Sequence, residues 1–327
     1  MVRLPARSLV VLPLLLAFVQ PSAAAGGGRF TTHTYRNAKG SLTYKLYTPP
    51  SPGATNLVVV LPGAGETSDD AATRSRFNAV AARLHFVVAY PEQSLAYNSS
   101  REWDWATASK QGRSNREASL IAGITRTVTA QLRLRRAFVM GISAGAGMAS
   151  AMAVSFPDLY SGLGIEAGCP FDNAGCGGGS VTADQSAAAA VKAMGRYRRM
   201  LPVFNEYGSA DPIAVGVSSE EVVPSWLTVD DTLDNGKDDG SISRSASSSQ
   251  IVTPTPPAKP YRASEYRDSR GCALALDWVV VGESHAWSGG AQTDPSDLSS
   301  DPLAPDASTA MYRFFTSPRT LPACSRR

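Results

Sequence analysis

The sequence contains few residues that bind metals and no block of like charges. It has three histidines and four cysteines among 327 residues, and no two cysteines stand in a CxxC arrangement. Because structural metal sites need several such ligands at short spacings, we expect no metal and no cofactor. The formal net charge is only +3, with acidic and basic residues interspersed, which argues against nucleic-acid binding.

Long hydrophobic runs are absent except near the N-terminus, where residues 9–19 are apolar. This run is short for a bilayer span, follows the basic residues Arg3 and Arg7, and precedes small residues at 23–25 that offer a cleavage site. The pattern predicts a signal peptide over 1–25, and hence a secreted protein without membrane attachment after cleavage. The alternative is an uncleaved membrane anchor.

Residues 26–327 are predicted to form a single α/β domain and to be monomeric. Buried-strand patterns alternate with helical ones, which predicts a doubly wound, mainly parallel sheet with helices on both faces. The predicted elements are a hairpin (30–35 and 42–47), strands at 57–61, 86–90, 137–140, 162–166, 203–207 and 274–281, and helices at 117–132 and 306–315. Residues 218–261 are rich in Asp, Ser, Gly and Pro, so we expect a polar surface excursion there.

The four cysteines are expected to form disulfides, since cysteines of exported proteins are more often bridged than free. Cys169 and Cys176 would close a short loop, and Cys324 would tether the C-terminus to Cys272. Four cysteines allow three pairings, so this pairing is a preference among them.

The segment Gly141-Ile142-Ser143-Ala144-Gly145 has the Gly-x-Ser-x-Gly pattern. It follows the apolar run 137–140 and precedes the small residues 146–150, which predicts a strand, a sharp turn and a helix. In α/β-hydrolases such a turn lifts a nucleophilic serine above the sheet. We therefore predict that Ser143 is a nucleophile; the alternative is a structural Gly-rich turn.

A serine nucleophile needs a general base, and only three histidines are available. His33 lies in the first hairpin, far upstream of the turn, and His85 precedes a predicted strand, where a structural role suits it better. His285 lies in a loop after the last predicted strand, as the nucleophile–acid–histidine chain order requires. We predict that His285 is the base; the alternative is a structural loop histidine.

The nucleophile and the base need a third residue, a carboxylate that orients the base, and it should follow a strand between Ser143 and His285. Asp211 lies in the turn after the strand at 203–207 and is the predicted acid. Glu206 lies inside that strand, and the adjacent pair at 230–231 falls in the polar excursion, where surface charge is expected.

An oxyanion hole requires two backbone N–H donors. One is expected at Ala144, directly after the nucleophile. The other should come from the turn after the strand at 57–61, where Pro62 has no N–H, so Ala64 is the predicted donor. The alternative is that this turn is merely Gly-rich.

Six segments in order form a set more specific than the pentapeptide alone. They are Tyr90-Pro91-Glu92-Gln93, Trp103-Asp104-Trp105, Gly141-Ile142-Ser143-Ala144-Gly145, Ala167-Gly168-Cys169-Pro170, Tyr207 to Asp211, and His285-Ala286-Trp287-Ser288-Gly289-Gly290. With them the chain resembles the secreted poly(3-hydroxybutyrate) depolymerases and the related feruloyl and acetylxylan esterases. The resemblance implies a Ser143–His285–Asp211 triad and a serine esterase that needs no cofactor.

The resemblance also implies a substrate: poly(3-hydroxybutyrate) or its oligomers, with plant cell-wall esters as the alternative. A different class of function is a non-catalytic secreted binding protein on a hydrolase scaffold. Trp287 and Trp105 are predicted substrate contacts; the alternative for each is a place in the core. The family usually has His-Gly-Cys where this chain has Pro62-Gly63-Ala64, and a cysteine where it has Glu102. We therefore expect an oxyanion loop that lacks a disulfide.

Overall fold

The computed structural model describes residues 22–23, 27–106, 111–172, 181–213, 219–292, 294 and 296–324. The predicted signal peptide lies outside them except for Ser22–Ala23, a short strand that pairs with the next one. Among the described residues, no helix is both long and apolar enough to cross a membrane.

Eleven strands of the described chain form one sheet, and six in its centre run parallel. The strands are β1 (Ser22–Ala23), β2 (Arg29–Asn37), β3 (Gly40–Thr48), β4 (Asn56–Leu61), β5 (Val87–Glu92), β6 (Arg136–Ile142), β7 (Tyr160–Glu166), β8 (Val203–Gly208), β9 (Ser248–Val252), β10 (Tyr261–Arg267) and β11 (Ala273–Val280). Their order is β1-β2-β3-β5-β4-β6-β7-β8-β11-β10-β9. Two short strands, β12 (Trp287–Ser288) and β13 (Ser300–Asp301), pair separately.

Helices cover both faces of this sheet. They are α1 (Ser68–Ser75), α2 (Phe77–Leu84), α3 (Arg116–Gln131), α4 (Ala144–Ser155), α5 (Ala183–Met194), α6 (Val222–Asn235) and α7 (Ala307–Thr316). Alternate residues of β4 divide between two cores, as the pleat of a strand requires. Val59 lies in the core with α3 to α6, and Val60 lies in the core with α1, α2 and α7. The predicted α/β-hydrolase fold is therefore confirmed.

The segment 218–261 differs from the predicted surface excursion. Its first part forms α6, and Trp226 and Val229 of this helix are buried in the main core. Polar residues dominate the composition here, but the apolar ones recur at helical spacing, and this periodicity positions them on the buried face. The following stretch, 236–247, is mostly exposed and leads to the edge strand β9.

Candidate active site

Ser143 lies in a strained turn between β6 and α4. Its backbone angles are φ 55° and ψ −124°, a conformation that non-glycine residues rarely adopt. The turn is held from both sides, since Ser143 N–H donates to the Glu166 carbonyl at 3.0 Å and Gly147 N–H donates to the Ser143 carbonyl at 3.0 Å. A strained backbone conformation that is held in place by surrounding hydrogen bonds is typical of active-site residues.

The two glycines of the pentapeptide let the strand and the helix approach each other. A Cβ on Gly145 would lie 2.1 Å from the Leu61 carbonyl oxygen, and one on Gly141 would lie 2.5 Å from the backbone of Gly145. No side chain fits at either position without moving the backbone. The Gly-x-Ser-x-Gly pattern is therefore a packing requirement of this turn.

Asp211 and His285 meet at the same end of the sheet as this turn. Asp211 lies in the turn after β8 and is fully buried, and its Oδ2 is 2.8 Å from His285 Nδ1. Its Oδ1 accepts a hydrogen bond from Ile213 N–H at 2.8 Å. The two turns are joined directly, because Ala210 N–H donates to the Glu283 carbonyl at 2.9 Å.

This contact determines what the imidazole can do. A carboxylate at Nδ1 favours the tautomer that carries its proton there, which leaves Nε2 as the acceptor. The His285 side chain is 19% exposed, whereas Asp211 is completely enclosed. The pair thus has the arrangement of an oriented general base.

The turn after β4 presents one uncommitted N–H group. Gly63 N–H donates to Glu66 Oε2 at 2.7 Å, Gly65 N–H to the Ser100 carbonyl at 2.9 Å, and Glu66 N–H to the Gly63 carbonyl at 3.2 Å. Within the described chain, Ala64 N–H has no such partner, and this residue is exposed. Ala144 N–H, at the first position of α4, likewise has no carbonyl within its own helix to bond. These are the two donors predicted from the sequence.

The sequence matches the model of a known family. The model of the family described as "Esterase PHB depolymerase" matches residues 42–235, well over half of the chain. The chain belongs to this family. The match includes Ser143 and Asp211 and ends before His285.

Two curated relatives and one solved structure are similar to this chain. The chain is 31% identical over 175 residues to a poly(3-hydroxybutyrate) depolymerase of Ralstonia pickettii, covering 48% of this chain and 36% of that protein. It is 32% identical over 122 residues to poly(3-hydroxyalkanoate) depolymerase C of Paucimonas lemoignei, covering 37% and 29%. The chain thus spans about a third of the length of these relatives. In structure it is similar to an acetyl xylan esterase from Aspergillus awamori, with a TM-score of 0.62, 17% identity, and coverage of 78% and 93%.

In this member of the PHB depolymerase family, polar contacts hold the turn after β4, the predicted oxyanion loop. The Trp103 indole N–H donates to the Pro62 carbonyl at 2.9 Å. Arg74 pairs with the buried Glu66 at 2.5 Å and with Asp297 at 2.9 Å. Hydrogen bonds and an ion-pair network therefore link this loop to its surroundings at a place where the sequence predicted no disulfide.

The two predicted substrate contacts need correction. Trp287 is 1% exposed, its indole N–H donates to Ser308 Oγ at 2.9 Å, and its ring packs edge-on against Phe77. Trp105 is 5% exposed, and a Cβ on Gly147 would come within 2.5 Å of its ring. Trp105 lies in the core with α3 to α6 and Trp287 in the core with α1, α2 and α7, because large aromatic side chains stabilise most when they are buried.

The carboxylates considered as alternatives to Asp211 lie elsewhere. Asp231 accepts hydrogen bonds from the N–H groups of Asp239, Gly240 and Ile242, so it organises the loop after α6. Asp230 is buried, with a backbone hydrogen bond from Leu201 before β8. Glu206 is fully buried within β8, next to two other glutamates that the sequence did not single out.

One predicted disulfide is present, between Cys272 and Cys324. Cys169 is also disulfide-bonded, whereas Cys176, its predicted partner, lies outside the described residues. The bridge at Cys324 connects the C-terminal segment to the start of β11, which precedes the His285 loop.

Proposed function

We propose that this protein is a serine carboxylic-ester hydrolase that uses Ser143, His285 and Asp211. The observation that carries the proposal is the 2.8 Å contact between Asp211 Oδ2 and His285 Nδ1 at the sheet end where Ser143 occupies its strained turn. Family membership and the two uncommitted N–H groups support it. No single element of the set is specific alone, but acyl transfer needs all of them together.

The proposed reaction is a two-step acyl transfer. His285 Nε2 takes the Ser143 proton as Oγ attacks the ester carbonyl carbon, and the resulting oxyanion accepts hydrogen bonds from the N–H groups of Ala144 and Ala64. The C–O bond to the alcohol breaks, and His285 gives its proton to that oxygen. A water molecule, deprotonated by the same nitrogen, then attacks the acyl-enzyme carbonyl carbon. The bond between this carbon and Ser143 Oγ breaks, His285 gives the proton to Oγ, and the acid is released. Asp211 stabilises the imidazolium in both steps.

The proposed substrate is poly(3-hydroxybutyrate) or its soluble oligomers. Support comes from the two curated relatives, which are named as depolymerases of such polyesters. Secretion is part of the proposal, because the N-terminal pattern is that of a signal peptide and disulfides persist in oxidising compartments. Its check is N-terminal sequencing of protein recovered from the medium, where cleavage after Ala25 is expected.

Acid release from parallel substrates tests the function. Wild-type protein and Ser143→Ala are incubated with poly(3-hydroxybutyrate), its oligomers, methyl ferulate and acetylated xylan. Release of 3-hydroxybutyrate by the wild type alone supports the proposal. Release of only ferulate or acetate would replace the substrate by cell-wall esters. If the folded wild-type protein hydrolysed none of these substrates, a non-catalytic binding protein would be the better interpretation.

A further inference from the structure

Three glutamates lie together beneath the candidate active site. Glu166 ends β7, Glu206 lies beside it in β8, and Glu283 lies in the loop between β11 and His285. All three have no exposed surface. A buried carboxylate is costly unless it is paired or protonated, so a group of three requires an explanation.

The contacts of these carboxyl groups satisfy only some of their oxygens. Ser288 N–H donates to Glu166 Oε1 at 2.5 Å, and Ser288 Oγ donates to Glu283 Oε2 at 3.0 Å. Glu166 Oε2, Glu283 Oε1 and both Glu206 oxygens have no donor within hydrogen-bond distance among the described residues, and the Ser288 hydroxyl, which bonds Glu283, is the donor that faces Glu206. The Glu206 carboxyl is within hydrogen-bonding reach of those of Glu166 and Glu283. Two protons, one in each of these contacts, would give all four oxygens a partner.

The electrostatic environment favours protons on these groups. Burial raises the pKa of Glu166 and Glu206 well above the usual range and raises that of Glu283 to about 11. The charged groups that face the cluster act in the same direction, since Asp306 raises the pKa of Glu166 and Asp301 that of Glu283. Each of these aspartates contacts a cation of its own, Asp301 with Lys259 and Asp306 with Arg83.

Each glutamate is also bonded through its backbone to the turns of the site. The Glu166 carbonyl accepts the Ser143 N–H, and the Glu283 carbonyl accepts the Ala210 N–H next to Asp211. The Glu206 carbonyl accepts the Ala167 N–H, which joins β8 to the end of β7. A shift of any one carboxyl group would therefore be transmitted to the turn that carries Ser143, Asp211 or His285.

We propose that Glu166, Glu206 and Glu283 form a proton-sharing carboxyl cluster that fixes the relative positions of the three site-bearing turns. Glu206, at its centre, is then a positioning residue that does not touch the substrate. Its role in turnover rests on the proposed esterase function, whereas the shared protons do not depend on that function.

The test replaces Glu206 by a residue that keeps the neutral hydrogen bonds and by one that removes them. Glu206→Gln can both donate and accept at similar size, and Glu206→Leu can do neither. Asp230 of α6 offers a matched control, because it is a buried carboxyl group whose pKa is also raised by burial. It bonds to the backbone of Leu201, which precedes β8, whereas Glu206 lies near the other end of that strand. Asp230→Asn and Asp230→Leu are measured alongside.

Turnover of a nitrophenyl ester and the low-field NMR signal of the His285 Nδ1 proton are the two readouts. His285→Ala assigns the signal among the three histidines. We expect Glu206→Leu to lower kcat by about 100-fold with little change in KM, because misplacing a catalytic group by ~1 Å costs about that much. The signal should shift or broaden in the same variant. Glu206→Gln should keep kcat and the proton signal close to those of the wild type, and the Asp230 variants should leave kcat and the signal unchanged.

Infrared spectroscopy of the wild type tests the protons directly. We expect a carboxylic-acid C=O band at neutral pH that loses intensity in Glu206→Gln. Normal kcat and an unshifted proton signal in Glu206→Leu, equal losses in Asp230→Leu, or failure of Glu206→Gln to restore kcat would each overturn the proposal. An inactive wild type that still shows the band would refute the esterase function and leave the proton sharing intact.

Discussion

Buried glutamates support the candidate site in two regions whose surroundings differ. On the acid–base side, Glu166, Glu206 and Glu283 are sealed from solvent with carboxyl groups as neighbours. On the oxyanion side, Glu66 accepts a hydrogen bond from the Gly63 N–H and forms an ion pair with the Arg74 guanidinium. Burial without a cation favours the neutral form of a carboxyl group, whereas the Glu66 pair is held by the attraction between opposite charges.

The same substitution should therefore have opposite outcomes in the two regions. Glutamine replaces a protonated glutamic acid well, since both are neutral and both donate and accept hydrogen bonds. It replaces an ionised glutamate poorly, because it loses one acceptor oxygen and the attraction to arginine. The effect of replacing a glutamate by glutamine at this site therefore depends on the groups that surround its carboxyl.

The largest effect is expected at Asp211, because in the proposed mechanism its carboxylate itself orients the base. Asp211→Asn should lower kcat by about 10⁴-fold while the fold is retained, because an amide at this place favours the wrong imidazole tautomer. Steady-state kinetics together with circular dichroism measure both. A fall of less than about tenfold would contradict an orienting role for this carboxylate.

A smaller effect is expected on the oxyanion side. Glu66→Gln weakens the bridge between Gly63 and Arg74, so the Ala64 N–H is held less rigidly and kcat should fall about tenfold, less than the ~10²-fold loss on removing a donor. Arg83→Ala is the matched control, since this arginine is about half exposed and its contact with Asp306 is 3.9 Å long. Equal kcat for Glu66→Gln and wild type would show that the network does not position the loop.

The next effect is a change in how the free energy of unfolding depends on pH, and it tests the protonation of the buried glutamate cluster. The folded-state pKa of Glu283 is raised to about 11, so its contribution to stability is complete below the unfolded pKa of about 4.3 and is lost as the pH rises towards 11. Glu283→Gln removes this loss. We expect the variant to gain on the wild type with rising pH, by at most about 1.4 kcal/mol per pH unit.

Urea unfolding of both proteins at several pH values, monitored by tryptophan fluorescence, measures this gain. A difference between Glu283→Gln and wild type that stays constant with pH would contradict a protonated cluster.

The smallest effect is expected at Trp287. Its substitution distinguishes a core residue, which affects stability, from a substrate contact, which affects KM. Trp287→Phe loses the hydrogen bond to Ser308, which should cost about 1 kcal/mol of unfolding free energy. KM for soluble oligomers should not change, because the ring is enclosed. A severalfold rise in KM at unchanged stability would restore the original prediction of a substrate contact.

The sequence predicts the fold well where local signals and burial agree. The apolar run at 57–61 and the small residues around Ser143 became β4 and the β6–α4 turn, since a buried parallel strand and a close strand–helix approach leave few other sequences possible. Asp211 and His285 could be predicted because chain order and position after a strand constrain them.

What the sequence did not predict depends on tertiary neighbours. Glu166, Glu206 and Glu283 are far apart in the chain, and each alone is typical of a charged surface residue. Only the parallel pairing of β7 with β8 brings the first two side by side. Trp287 and α6 were misplaced for the same reason, because composition indicates polarity but does not show which face meets the core.

The most direct test of the account is the covalent chemistry of Ser143. Wild-type protein and Ser143→Ala are treated with a fluorophosphonate, and the adduct is mapped by mass spectrometry of proteolytic peptides. We predict one adduct per chain, on Ser143, with loss of ester hydrolysis in proportion to labelling and no adduct in the variant. Labelling of another serine, or full hydrolysis by Ser143→Ala, would contradict the proposed mechanism.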